Sequence, residues 1–533
     1  MTMLKLATRL GVAAAMLAVP LGSALAEKDG GTLKIYHRGT PPSGSIHEEA
    51  TNSTVAPYMG VFNNLIMFDQ QNEVNSLDSI VPDLATDWSW DDSKTKLTFN
   101  LRSGVQWHDG KPFSAADVVC TWNRLTGDVP RNMRLRKNPR KSWYWNLKGV
   151  EANGDNQVTF TLGQPQQSFL ALLASGYSPV YPCHVDAKTM RTHPVGTGPF
   201  KFVELKQNEH IKFVKNENYW KEGKPHLDAI DWTIIRSRST RVLAFIAGEF
   251  DMVFNADVTV PLLKDVRAQA PHAVCDLIPT GVSTNLIVNR DAPPFNDERL
   301  RKAMALTLDR QAFIDILSEG EAQMGGAMLP PSGGVWGMPP EVLKNVAGFG
   351  DVEANREKAR ALMKEAGYGP DNRLQATVST RNIAVYRDPA VILIDHMKEI
   401  YIDAELKVIE TSNWHATVAK KDYQVGLNLT GVGVDDPDVN FFENYACGSQ
   451  RNYTGYCNKE LQELFVKQSG MTDLEERKKL VWQIDAKLQE DVARPIIFHG
   501  KAANCRQPFV KGFTSVVNSL YNNWRLEDLW LDK

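Results

Sequence analysis

Two sets of residues in this sequence have types and spacing that could do chemistry: the adjacent pair His108–Asp109 and six cysteines. A histidine beside a carboxylate suggests a general base and the acid that orients it. In VQWHDGKPF, however, the two are consecutive, and consecutive side chains of an extended segment point to opposite sides. Asp109-Gly110 is a turn dipeptide, and Lys111-Pro112 prolongs the turn. The stretch therefore predicts a structural corner rather than an active site. GTGPF at 196–200 imitates a phosphate loop, but it lacks the following lysine and runs into a strand-like segment. No nucleophile elbow, zinc-protease helix, Walker A loop or dinucleotide fingerprint occurs. The 11 histidines are scattered, and His37 and His47, though close in sequence, lack the spacing of a zinc motif. The reading is a protein without enzymatic activity, metal or cofactor.

Cys120, Cys183, Cys275, Cys447, Cys457 and Cys505 are an even set, which favours disulfides in an exported chain. Cys447 and Cys457 flank the polar loop CGSQRNYTGYC and predict a local clip. For the other four, residue spacing leaves the pairing open, with buried free thiols as the alternative.

The elements that must position these residues alternate between two periodicities. TLKIYHRG, QVTFTL, HIKFVKN, LDAIDWTIIR and STNLIVN read as strands. LATDWSWDDSKTKLTFNL reads as a hairpin about its Asp-Asp-Ser-Lys turn. Ser114 followed by Asp117 caps the start of a helix over AADVVCTWNRL. STRVLAFIAG is a helix ended at Gly248, and helices crowd the chain after residue 295. Examples are DERLRKAMALTLDRQAFIDIL, ANREKARALMKEAGY and LEERKKLVWQIDAKLQEDV. The mixed order predicts α/β lobes. GAMLPPSGGVWGMPPEVL is a Pro/Gly-rich loop, and its Trp336 is a candidate for facing a ligand.

Residues 1–26 carry Lys5 and Arg9, then an apolar run and Ala24-Leu25-Ala26, and read as a cleavable secretory signal. No cysteine lies at the cut, so a lipoprotein is not expected. Removing the segment takes away two cations and no acid, which shifts the formal net charge from -3 to about -5. That balance argues against a nucleic-acid partner. Export, 43% hydrophobic residues and 13 tryptophans suit a periplasmic protein with substantial cores, two or three domains and a monomeric state.

LATDWSWDDSKTKLTFNLRSGVQWHDGKPFSAADVVCTW resembles the signature region of the bacterial extracellular solute-binding proteins, family 5. These are dipeptide, oligopeptide and nickel receptors of ABC importers. VGTGPFKF, KNENYWKEGKPHLDAIDW, TRVLAFIAGEFDMVF, NRDAPPFNDERLRKAMALTLDRQAF, REKARALMKEAGY, DDPD and NYTGYCNKELQELF follow in the family's order. The resemblance implies an α/β, three-lobed periplasmic binding protein fold, type II-like and of cluster C, with a ligand cleft between lobes I and III. The implied boundaries are 27–60, 194–274 and 505–533 for lobe I, 61–193 for lobe II and 275–504 for lobe III. HAVCDLIPT and PIIFHGKAANC would cross between lobes, bringing Cys275 to Cys505 and leaving Cys120 with Cys183.

The resemblance also implies a solute, peptide or peptide-like, captured by hinge closure and passed to a membrane permease. Tyr36, His37 and Arg38 follow the first strand, where lobe I faces the cleft. Gly196, Thr197 and Gly198 would allow close backbone approach. Arg381 falls where dipeptide binders hold a carboxylate, and Trp414 matches a lobe III tryptophan able to stack on ligand. Peptide binders also place an amine-pairing aspartate shortly before the Asp-Pro-Asp turn. Here that position falls on Gly433 or Val432, leaving Asp435 and Asp436 as substitutes. This departure puts recognition of a free amine in doubt and keeps other solutes open: an opine, another carboxylated amphiphile or a metal chelate. A secreted hydrolase is the distant alternative.

Overall fold

The computed structural model describes residues 27–533. The expected signal segment, 1–26, lies outside the described residues. Alternating apolar positions build three main sheets. In the first, Thr32–His37 runs parallel to Ala229–Ile234, which continues antiparallel to His210–Lys215 and then Phe200–Lys206. In the second, Ala85–Trp90, Lys96–Leu101, Gln157–Leu162 and Leu147–Ala152 form an antiparallel sheet in that order. The third has five strands, ordered Ile402–Ile409, Leu374–Arg381, Val425–Gly431, Val274–Val288 and Ile496–Arg506. Its first three strands are parallel and its last two pairings antiparallel.

The second sheet has no core of its own. Leu97, Phe99, Val158 and Phe160 share one hydrophobic cluster with Leu33, Ile35, Ile211 and Trp232 of the first sheet. A separate cluster joins Leu286, Val378, Val425 and Leu427 of the third sheet to helices carrying Leu300, Met304 and Phe313. A third packs Phe441, Phe442 and Phe465 against Trp336 and Ile484. Among the described residues no helix is long and apolar enough to cross a membrane.

Two strands belong to both large clusters. Val274–Val288 carries Cys275 and Leu277 against the first cluster, and Leu286 and Val288 inside the other. Its partner Ile496–Arg506 does the same with Cys505 and Ala503 at one end and Ile497 and Phe498 at the other. These are the two segments expected to cross. Cys275 lies opposite Cys505 in register, and the two are disulfide-bonded, closing a sequence separation of 230. Cys120–Cys183 and Cys447–Cys457 are the other bridges, and no cysteine is free.

His108 is the corner that the sequence predicts. Its Nε2 lies 2.9 Å from the Gly198 carbonyl, and the Gly196 amide donates to Nδ1 at 3.3 Å. Burial holds its pKa down at about 4, so the ring is a neutral clamp at neutral pH. Asp109 turns away to His184, 2.7 Å from its Nε2. Ser114 and Asp117 complete the expected capping box on the next helix.

One buried charge group ties the chain's C-terminal end to this body. Asp83 accepts from Arg525 Nη1 at 3.0 Å and the Asn64 amide at 2.8 Å, with Lys221 Nζ at 3.3 Å. Burial alone would raise its carboxyl, but Arg525, Lys221 and that amide outweigh burial and hold it below the usual range. A lowered carboxyl stabilises at neutral pH and loses that contribution as pH falls through its folded-state value. Asp83→Asn is expected to cost about 3–5 kcal/mol in urea unfolding at pH 7, with the difference from wild type shrinking below about pH 4. Replacing Cys275 and Cys505 together by alanine is expected to lower the same unfolding free energy by about 2–4 kcal/mol.

Candidate functional site

A cavity of about 350 Å³ lies where the crossing strands leave one cluster for the other. One wall comes from the N-terminal body: Arg38 after the first strand, Ala50–Asn52, Arg238 and Asn255–Ala256. The other comes from the five-stranded sheet and its helices: Arg381, Tyr386, Asp388, His415, Leu429 and Arg451. Thr280, Val282 and Gly500 on the crossing strands and Tyr521 of the C-terminal tail complete it. A wider groove of about 810 Å³ shares Arg38, Arg238 and Asp388 with the cavity and leads out past Arg236, Arg387 and Glu410.

Local structure explains each position. Leu374–Arg381 is a buried parallel strand, so its last residue projects at the sheet's C-terminal edge, where open α/β sheets bind ligands. Arg381 is 1% exposed and reaches across to the N-terminal body. Its Nη1 donates to Thr51 Oγ1 at 3.3 Å and its Nη2 to Ser53 Oγ at 3.0 Å, while Nε donates to Thr411 Oγ1 at 3.1 Å. Thr51 is also the N-cap of the helix Asn52–Tyr58, which fixes its hydroxyl. Arg38 lies over the Phe254 ring at 4.7 Å. Burial, and then the charge of Arg381, lowers its pKa to about 10, so it remains a cation. Arg238 is 3.3 Å from Asp388 across the mouth, and Arg236 is 3.7 Å from Glu410. His415 is buried, with Nδ1 3.4 Å from Tyr453 Oη. Burial and then Arg381 push its pKa down, leaving it neutral.

Of the expected ligand residues, the cavity brings together Arg38 and Arg381. Tyr36 and His37 point into the core: Tyr36 packs edge-on against Phe250, and His37 accepts from the Gly39 amide and contacts the Ser53 carbonyl at 3.1 Å. Arg38 lies one residue beyond the strand Thr32–His37, and of the three it alone lines the cavity. Trp414 is fully buried with Val418, Tyr423 and Tyr453 rather than placed in the cavity wall. Trp336 donates from Nε1 to the Asp435 carbonyl at 3.0 Å and carries the Arg477 guanidinium over its ring. Asp436 caps the helix Pro437–Asn444 and takes a two-pronged bond from Arg477 at 2.7 and 3.0 Å. Asp435 accepts the Val335 amide at 3.1 Å, fastening the Pro/Gly-rich loop. Gly196 and Gly198 do meet a close backbone, but it is that of residues 60–62: a Cβ at Gly196 would strike the Val61 carbonyl. Thr197 donates to Asn63 at 3.0 Å. Gly433 lies against Trp143, and its carbonyl accepts from Asn522 at 2.9 Å.

Sequence reasoning missed Thr51, Arg238, Asp388, His415, Arg451 and Tyr521. Periodicity marks their elements, but only the assembled fold shows which face the cavity. Gly431 carries a usable signal: a Cβ there would strike Tyr521, so the glycine on a buried strand marks where the tail approaches. Among the described residues no group of His, Cys, Asp or Glu is placed to hold a metal.

The family model for bacterial extracellular solute-binding proteins, family 5 (middle region), matches residues 79–452. Among curated proteins, heme-binding protein A of Haemophilus influenzae is 27% identical over 488 residues, covering 85% of this chain and 84% of that protein. Oligopeptide-binding protein AppA of Bacillus subtilis is 26% identical, covering 81% and 80%. Among solved structures, DppA from Helicobacter pylori in complex with the peptide STSA superposes with a TM-score of 0.82 at 23% identity, covering 95% of this chain and 99% of that one. AgaA from A. tumefaciens in complex with agropinic acid gives 0.80 at 21%, covering 94% and 99%. The expected binding-protein fold is therefore the one observed.

Two buried acids outside the cavity, Asp435 and Asp485, make a prediction about stability. Burial raises Asp435 to about 7, and it raises Asp485, which accepts the Ala327 amide, to about 6. A raised carboxyl stabilises fully below its unfolded value, and that contribution fades as pH climbs through the folded one. Urea unfolding is expected to show a loss of several kcal/mol between about pH 4 and 7 from these groups. Asp435→Asn should flatten the part of that slope nearest pH 7.

Proposed function

Because this chain belongs to the bacterial extracellular solute-binding proteins, family 5, we propose that it is the periplasmic solute receptor of an ABC importer. In this reading it captures a peptide or peptide-like solute and presents it to a membrane permease. The observation that carries the reading is the cavity enclosed between two bodies that have hydrophobic clusters of their own, share two crossing strands, and touch each other outside the cavity through contacts such as Trp145 on Phe442 and Ser168 to Asp438. A ligand touching both walls favours the closed arrangement by its extra contacts there, and no chemical step is needed. The hinge is the stretch of register shifts between Pro279 and Asn285, opposite Gly500. The chain works as a monomer, and residues 1–26 direct its export without a lipid anchor.

Several relatives support the peptide part of the reading through what they themselves bind, AppA and DppA among them. AgaA, with agropinic acid, keeps a non-peptide carboxylated solute in view. A secreted hydrolase is the weaker reading, since His415 shares its Nδ1 with Tyr453 rather than with a serine or cysteine nucleophile.

Protein purified from a periplasm without denaturation and examined by native mass spectrometry is expected to carry a bound solute. Fragmentation should give short peptides or a peptide-like acid. Adding the released solute back to stripped protein should reduce the radius of gyration in solution scattering. A solute that binds without compacting the protein would overturn the hinge mechanism. Turnover of the solute would overturn the receptor reading.

A further inference from the structure

The cavity wall holds four arginines, and the acids around them are unevenly shared. Arg238 has Asp388, the one acid in that wall. Arg451 is bound to the buried carboxylate of Glu443. Lys501, also in the wall, is 3.2 Å from Glu321. Asp257, the buried acid near Arg38, is taken by both prongs of Arg241 at 2.6 and 2.8 Å. Among the described residues no carboxylate is paired with Arg381 or Arg38. Arg381 is held by three neutral hydroxyls. Arg38 rests on the Phe254 ring, and its buried Nε has no protein partner. His415 Nε2, in the same wall, is buried and without a partner as well.

Elsewhere in this chain buried arginines are satisfied either by acids, as in Arg525–Asp83, Arg241–Asp257 and Arg477–Asp436, or by backbone carbonyls, as in Arg310 with Ile496 and Arg124 with Pro182; the buried Nε of Arg38 has neither. Two acid-free arginines facing one cavity are costly in its low dielectric unless something anionic enters. They also stand on opposite walls, Arg38 on the N-terminal body and Arg381 on the five-stranded sheet. An ammonium entering the cavity would find Asp388 already occupied by Arg238.

We propose that the solute carries two anionic groups, one received by Arg38 and one by Arg381, and that Arg38 sets this preference. The proposal rests on the receptor reading above and narrows it to a dianionic, peptide-like acid without a free amine in the cavity. The guanidinium of Arg38 presents paired donors to an oxyanion, and His415 Nε2 supplies one further polar contact. Each anion makes one wall indispensable, so the same contacts select the solute and join the bodies.

The test is calorimetry on stripped mature protein with probes of similar size. These are succinyl-Ala-Ala (two carboxylates), acetyl-Ala-Ala (one carboxylate), Ala-Ala-Ala (a zwitterion) and glucarate (a dianion that is not a peptide). Succinyl-Ala-Ala is expected to bind at least about tenfold more tightly than acetyl-Ala-Ala. Arg38→Gln should erase that ratio, and Arg38→Lys should restore part of it. Thermal melts of both variants establish that they fold. Tightest binding of Ala-Ala-Ala would keep the peptide receptor and overturn the dianion proposal. Binding of glucarate alone, with Arg38 dependence, would support the proposal and overturn the peptide part of the function. A ratio near one, a ratio that Arg38→Gln leaves intact, or no binding by either dianion would overturn the proposal.

Discussion

The structure depends on one pairing, Val274–Val288 against Ile496–Arg506. A β-ladder is a stiff connection, because every residue added to the register adds hydrogen bonds that resist twisting out of plane. Two bodies joined only by such a ladder would scarcely move. Here the ladder is continuous near Cys275–Cys505, where the disulfide locks it, and breaks register between Pro279 and Ser283 and again after Thr284. Irregular pairing leaves backbone groups free to change partners and increases local twist. The cavity floor, with Thr280, Val282 and Gly500, lies at that irregularity. The irregular stretch of the ladder and the cavity floor therefore coincide.

Charge divides the molecule in the same way. Asp83 with Arg525 and Lys221, Asp257 with Arg241 and Asp436 with Arg477 are compensated groups that fasten segments distant in sequence. Removing one partner of such a group strands a buried charge, so these residues behave as structure. Arg38 and Arg381 in the cavity wall are not compensated in that manner. Family, fold and cavity agree on a receptor, and the uneven sharing of acids adds information that the fold alone does not carry.

Much of the architecture is legible in the sequence because it is local. Alternation marks LKIYH, KLTFNL and QVTFTL, and Ser114 with Asp117 announces its helix. His108–Asp109 reads as a corner because turn residues follow it directly. The site is less legible because its residues are chosen by orientation. Tyr36, His37 and Arg38 are equally polar-capable neighbours, yet only Arg38, one residue past the strand's end, lines the cavity. Asp435 and Asp436 read as candidate amine partners, but one holds a loop amide and the other an arginine and a helix start. Both are local hydrogen-bonding uses of aspartate that composition cannot separate from ligand binding. Trp414 and Trp336 bury their rings in hydrophobic clusters, which large aromatics do more often than they stack on solutes.

The same electrostatics bears on why a closing cleft opens again. Arg381 crosses to Thr51 and Ser53 through hydroxyls, contacts that are worth little net free energy because water replaces them readily. Against them stands the approach of Arg38 and Arg381, two cations whose repulsion grows as the walls come together and water leaves. With no anion between them, this pair of arginines adds nothing in favour of closing. An anion on each arginine reverses the sign, turning the term that opposed closure into one that favours it. A ligand shifts a two-state balance only by its differential affinity for the two states. Under the proposed recognition that difference is supplied by charge, so a solute of the right shape and the wrong charge would enter the cavity without drawing the walls together.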